Sequence, residues 1–273
     1  MTKTQLTLTV TQNKGLSPNY SHIVLTATDR SSTELSDLPT ELNLKEIFES
    51  IKPGQFVQVR IDGSKQTFLR RPISVNFVDP AKFELHLLVR NAGEGTATLC
   101  RINVGEEVNV IMPLGNGFTV DNDNIRNPLL IGGGVGVAPM LYLGKSLRDN
   151  GITPTFLLAG KSAKDLLMLD EFEKYGRVIV STDDGSRGHH GLVTQNPCLT
   201  EEKWDIFYCC GPMPMMRGIA DIARKQGVDC EVSLENTMAC GLGACLCCVE
   251  DTVDGHVCVC TEGPVFNISQ LKW

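Results

Sequence analysis

Apolar and polar residues alternate along Thr4–Thr11 (TQLTLTVT) and again along Ser21–Thr28 (SHIVLTAT). Each stretch predicts a half-buried strand with its apolar side chains on one face. A polar, serine-rich insertion follows from Asp29 to Leu44 and leads through KEIFESIKPGQF, with a turn at Pro53–Gly54. Further strands are predicted at Gln55–Ile61, Leu69–Phe77, Phe83–Arg90 and Glu107–Met112, and a short helix at TATLCRI. Many short strands divided by glycine and proline turns, ahead of any helix–strand alternation, predict an antiparallel β-barrel of about 120 residues.

The texture changes at Asn127. The apolar run Pro128–Ile131 leads into GGGVGVAPMLYLGKSLRDNG, a strand passing through glycines into an amphipathic helix. That arrangement presents backbone amides and a helix N-terminus to a phosphate, which makes Gly133, Gly134 and Gly136 candidate nucleotide-binding positions. The pattern is not the Rossmann G-x-G-x-x-G, and no P-loop Lys-Ser/Thr follows it. Strands at Thr155–Ala159, Val178–Ser181 and Ile206–Cys210 alternate with helices at Ala163–Tyr175 and Pro214–Gln226, so a parallel sheet is expected. Its carboxyl edge would carry Asp183-Asp184-Gly185-Ser186 and Cys209-Cys210-Gly211-Pro212. Taken alone, the first is an ordinary turn and Cys210 a small buried apolar residue. The expected class is therefore multi-domain β plus α/β: a barrel over 1–125, an α/β domain over 126–228 and a small C-terminal module over 229–273.

Composition narrows the function. The chain has 273 residues, enough for two cores and a module, and its hydrophobic and charged fractions of 42% and 21% are ordinary for a globular protein. With 25 basic against 32 acidic side chains the net charge is −7, which argues against binding nucleic acid. MTKTQLTLTVTQNKG has no apolar signal core, and no apolar run reaches the roughly 20 residues of a membrane span. Eleven cysteines without a signal peptide point to a reducing cytoplasm and to metal ligation.

Six of those cysteines lie at positions 240, 245, 247, 248, 258 and 260. Cys240, Cys245 and Cys248 form C-x4-C-x2-C, the plant-type spacing around a 2Fe-2S cluster, with a fourth thiolate expected downstream. Gly241 and Gly243 suit a tight loop whose amides face sulfur. Structural zinc usually shows two separated ligand pairs, and a disulfide framework predicts a small secreted domain. Cys258 and Cys260 would share a face of one strand, so spacing leaves the fourth ligand open between them. In the barrel, Arg71 and Ser74 lie three positions apart at a strand end, a basic residue and a hydroxyl able to hold a phosphate and a flavin edge. Arg90 precedes Gly93-Glu94-Gly95-Thr96, whose amides suit a pyrophosphate. By pattern alone both pieces are weak, since an Arg-Pro pair is often a solvated edge and G-E-G a plain turn.

In this order, the barrel, GGGVGVAP and CCGPMPMM resemble the ferredoxin-NADP reductase superfamily. MACGLGACLCCV with VCTEGPVF is similar to the family of electron-transfer subunits of bacterial dihydroorotate dehydrogenase B. The resemblance covers essentially the whole chain. It implies a FAD site in which the R-P-I-S motif falls on Arg71, Pro72, Ile73 and Ser74, a second segment on Leu88, Val89 and Arg90, and a G-T pair on Gly95 and Thr96. It implies a 2Fe-2S cluster on Cys240, Cys245, Cys248 and Cys260, with Cys247 and Cys258 spare, and NAD as electron acceptor with Cys210 and Gly211 on the nicotinamide side. It further implies a partner, an FMN-containing catalytic subunit that oxidises dihydroorotate in pyrimidine biosynthesis, with two copies of each chain. No acid–base residue for pyrimidine oxidation is evident here. The loop between the third and fourth ligands is short and the Asp29–Lys52 insertion long for this family. An NAD(P)H:acceptor reductase of the sulfhydrogenase or ferredoxin-NADP reductase type shares the architecture, and a colourless zinc-stabilised binding module is the non-enzyme alternative. NAD and NADP are not distinguished by the residues themselves.

Overall fold

A computed structural model describes residues 3–27 and 41–273. Strands β1 (Thr4–Ser17) and β2 (Tyr20–Thr26) are followed by helix α1 (Glu41–Glu49), β3 (Phe56–Val59), β4 (Arg71–Asp79), β5 (Glu84–Arg90), helix α2 (Glu94–Cys100) and β6 (Glu107–Leu114). Most of the Asp29–Leu44 insertion lies outside the described residues, and its end forms the start of α1. The six strands close an antiparallel barrel in the order β1-β2-β5-β4-β3-β6. Alternation explains the closure: Leu6, Leu8 and Val10 of β1 point inward to meet Ile23, Leu25, Val57, Val59, Leu85, Leu87 and Val110. Each fully buried aliphatic side chain contributes roughly 1.5–3 kcal/mol, so the alternating positions also fix the register.

The second body runs β7 (Pro128–Gly133), α3 (Ala138–Asp149), β8 (Thr155–Gly160), α4 (Leu169–Glu173), β9 (Arg177–Thr182), β10 (His189–His190), α5 (Cys198–Glu201), β11 (Ile206–Cys210), α6 (Met213–Gln226) and β12 (Asp229–Ser233). The chain ends with a hairpin, β13 (Val249–Thr252) and β14 (Gly255–Cys258), and a last strand, β15 (Val265–Asn267). The sheet order is β10-β9-β8-β7-β11-β12-β15, parallel until β15 adds antiparallel to β12. Successive residues of β7 serve two cores: Leu129 and Ile131 pack toward α6, and Leu130 packs toward α3. This is the continuous apolar pattern of a strand covered on both faces.

Some expected elements change. The helix expected over Ala163–Tyr175 is a single 3-10 turn at Ala163–Asp165 and a five-residue α4. The Asp165 carboxylate accepts from the N–H and hydroxyl of Ser162, which closes the turn locally, and Met168 then takes φ of 56°, which a helix interior does not allow. Helix α2 opens at Glu94, two residues before Thr96. The strand expected to run through Cys258 and Cys260 ends at Cys258, and a turn follows in which the N–H groups of Thr261 and Glu262 both donate to the Cys258 carbonyl. The two cysteines therefore do not share a strand face. The C-terminal segment also shares two strands, β12 and β15, with the α/β sheet.

Barrel and sheet are joined through α3. Asn76 Nδ2 donates to the Ala138 carbonyl at 2.9 Å, and the Tyr142 hydroxyl to the Ile51 carbonyl at 3.0 Å. Thr119 donates through its amide and hydroxyl to the two carboxylate oxygens of Glu231, at 2.9 and 2.6 Å.

Candidate functional site

The cysteine loop is built by glycines in the left-handed region, Gly241 at φ 70° and Gly243 at φ 84°. Their conformation turns amides inward. The Leu242 N–H donates to Cys240 Sγ at 3.3 Å, the Gly243 N–H to Cys260 Sγ at 3.2 Å, and the Cys260 N–H to Cys248 Sγ at 3.4 Å. Burial alone raises the Cys240 thiol, but the Cys245 thiol and the amides of Leu242, Ala244 and Cys245 override it and bring the group down to about 6. Cys240, Cys245, Cys248 and Cys260 thus converge on one loop. Amides aimed at sulfur are what an iron–sulfur group requires of its surroundings, and the residues present fit one. Among the described residues no three His, Cys, Asp or Glu side chains meet closely enough to hold a single metal ion.

Cys247 and Cys258 are the remaining two, and exposure alone does not part Cys247 from Cys245. Cys247 is exposed beside Leu246, a positive-φ residue whose own side chain is exposed. The Cys258 thiol does meet Cys248, and burial and the neighbouring thiols push it up. Cys260 is wholly buried and tied by an amide to the first half of the loop, and among the described residues no such bond to the Cys258 sulfur is found.

Six of the residues expected around a flavin line one cavity of about 270 Å³: Pro72, Ile73, Ser74, Leu88, Arg90 and Thr96. The other expected residues act differently. Val89 is fully buried in the barrel core and offers only its backbone. Arg71 lies across the start of α2, its Nη1 donating to the Leu69 carbonyl at 2.9 Å. Gly95 makes room for it, since a Cβ there would stand 2.8 Å from Arg71 Nε. Thr96 Oγ1 accepts from the N–H groups of Ala92 and Gly93, which fixes the glycine turn. The far wall was not foreseen: Val135 and Ala138 come from the α/β body, and Ser233–Met238 and Pro264 from the segments flanking the cysteine loop. No local signal marks Glu235. It is open to the cavity yet ringed by protein, and that partial desolvation raises its carboxyl, with Arg90 opposing.

A second cavity, about 420 Å³, opens at the carboxyl edge of the sheet. Gly133 and Gly134 line it, as do Gly160, Asp183, Thr194, Pro212 and Met215. Gly136 serves packing instead: a Cβ there would stand 2.3 Å from the Cys210 carbonyl oxygen. Cys210 is buried beneath Glu235, its Sγ 3.9 Å from Glu235 Oε1, and burial drives its thiol up. It is on the wall of neither cavity; Gly211, the next residue, packs on Met215. Among the described residues Arg90 alone belongs to both linings, so the two cavities adjoin there.

Residues 235–272 match the family described as the iron-sulfur cluster binding domain of dihydroorotate dehydrogenase B, and residues 130–221 match the oxidoreductase NAD-binding domain. A Shouchella clausii protein named dihydroorotate dehydrogenase B (NAD(+)), electron transfer subunit, is 39% identical over 225 residues, covering 81% of this chain and 86% of the relative. A Listeria monocytogenes protein of the same name is 38% identical, covering 88% and 95%. A solved NADH-dependent reduced ferredoxin-NADP oxidoreductase superposes with a TM-score of 0.82 at 27% identity, covering 97% of this chain and 90% of that one.

Proposed function

Because the chain belongs to the family of electron transfer subunits of dihydroorotate dehydrogenase B, we propose that it passes electrons from a dihydroorotate-oxidising FMN subunit to NAD+. The groups involved are a 2Fe-2S cluster on Cys240, Cys245, Cys248 and Cys260 and a FAD in the cavity of Ser74 and Arg90. When bound, the flavin exchanges a hydride with nicotinamide and single electrons with the cluster, which neither partner alone can do. The protein's part is to bind and align. Arg71 and the turn at Gly93–Thr96 hold phosphates, and Ile73, Ser74 and Leu88 seat the ring. Gly133 and Gly134 let the nicotinamide approach closely, and Gly211 makes room for Met215 on the wall beside them. Glu235, backed by the Cys210 thiol, places a carboxyl group on the wall of the flavin cavity that Arg90 also lines.

The observation that carries this reading is the adjoining of the two cavities at Arg90, with the wall segment Ser233–Met238 running directly into Cys240. Three sites in series along so short a stretch of structure suit electron carriage and no acid–base step. We read the chain as barrel 1–125, α/β body 126–228 and cluster segment 229–273, assembled as two copies with two catalytic subunits in the cytoplasm. None of the eleven cysteines is in a disulfide, and no helix among the described residues is long and apolar enough to cross a membrane.

The test is the composition of anaerobically purified protein. Two irons, two sulfides and one FAD per chain are expected, bleached by NADH, with dihydroorotate-dependent NADH formation only after the catalytic subunit is added. Zinc without flavin would sink the reading. Iron and flavin with NADH-dependent ferredoxin reduction, and no response to the catalytic subunit, would favour a ferredoxin-linked NAD(P)H reductase instead.

A further inference from the structure

In β3, Val57 and Val59 fill the barrel core, so Phe56 and Gln58 face outward. Outward here is not toward water. Phe56 belongs to the apolar cluster that contains Cys248 and Cys260, and Gln58 is completely buried beside it. The Gln58 side chain lies against Gly241 of the cysteine loop, where a Cβ would stand 2.6 Å from Gln58 Cγ and 2.7 Å from its Nε2. Its backbone carbonyl accepts from Arg70 Nη1 at 3.2 Å, yet neither Nε2 nor Oε1 of its side chain has a hydrogen-bond partner among the described residues.

A buried amide without a partner is rare in folded proteins, and it calls for a group that completes it. The neighbour it faces narrows the choice. Gly241 follows Cys240, whose sulfur already accepts from the Leu242 amide, so the loop around Gln58 is organised about sulfur acceptors. A thiolate or sulfide sulfur accepts and does not donate, which selects the amide orientation with nitrogen toward the loop. Glycine at 241 is needed twice, for its φ of 70° and to let the Gln58 amide come this close.

Resting on the cluster reading above, we infer that Gln58 donates a hydrogen bond from Nε2 to a sulfur of the iron–sulfur group and thereby sets its reduction potential. Gln58 is a positioning and tuning residue supplied by the barrel, not a ligand. A donor to sulfur stabilises the extra negative charge of the reduced state, so its loss makes reduction harder.

The experiment uses the full-length, iron-loaded chain and Gln58→Leu, which keeps the volume and removes the donor. With two irons and one FAD retained, an EPR-monitored titration should find the variant's midpoint shifted negative. The expected shift lowers the reduced-to-oxidised ratio about tenfold at fixed poise, which is about 59 mV for a one-electron couple. An unchanged midpoint overturns the inference. Pulsed EPR on reduced wild type labelled with 15N in glutamine side chains should show a nitrogen coupling that Gln58→Leu lacks. This second measurement decides alone where the variant fails to hold iron. Wild type with iron but no such coupling overturns the inference alone, whereas wild type without iron overturns the cluster reading and the inference with it.

Discussion

At the scale of single residues the six C-terminal cysteines separate by what their sulfurs accept. Cys240, Cys248 and Cys260 each accept an amide N–H, whereas Cys245 and Cys247 are both exposed. Cys240→Ser or Cys248→Ser should therefore lose the visible absorbance of the cluster and most of the iron while keeping FAD, because neither side chain lines the flavin cavity. Cys247→Ala should keep both, with iron and flavin content within error of wild type. Full iron in Cys240→Ser would show the ligand set to be wrong. The triplet was legible because its spacing is a local property of the loop. The difference between Cys260 and Cys258 was not legible in the spacing, since it rests on where β14 ends and on an amide from Gly243, 17 residues away. Gln58 and Glu235 were invisible for the same reason: each gains its meaning from a partner on another element.

At the scale of elements, the barrel strands other than the end of β1, which runs on from Thr11 to Ser17, fell within a few residues of their predicted places because alternation records burial directly. The α4 region did not, because the Ser162–Asp165 turn competes locally with helix and leaves no mark in apolar periodicity. The pairing of β2 with β5 carries a consequence for acid stability. His22 and His86 lie across it with ring nitrogens 3.3 Å apart. Burial, then the charge of His86 and, more weakly, Lys14, holds His22 down to about 4 against the opposing pull of Glu171. Burial also lowers His86, opposed by Glu84 and Asp79. Between an unfolded value of 6.5 and about 4 the unfolded chain takes up a proton that folded His22 refuses. Stability is therefore complete above pH 6.5 and is lost as pH falls toward 4, by roughly 1–2 kcal/mol after allowing for partial exposure. Thermal midpoints of wild type and His22→Gln over that interval test this. The variant should fall less steeply, and parallel curves would remove His22 as the cause.

At the scale of the whole molecule, sequence order conveys three successive bodies but not how they interlock. A three-residue strand is too short to show a period, so β15 and its antiparallel return to β12 could not be read. That return sets Pro264 and Ser233–Met238 as the far wall of a cavity whose near wall is barrel and whose floor is the start of α3. A flavin there touches all three bodies, and whatever binds only the folded state stabilises every part that must be folded to form the site. Saturation at 100 times the dissociation constant contributes about 2.7 kcal/mol, or roughly 5–10 °C for a protein of this size. Removing FAD should lower the melting of the barrel and of the α/β sheet together, even though β7–β12 keep every strand contact. Calorimetry of flavin-free and reconstituted protein, with limited proteolysis to follow each body, would read this. If the sheet's transition stays in place while only the barrel's moves, the cavity is a barrel site with a loosely apposed lid, and the junction at Arg90 does not hold the two nucleotide sites in register.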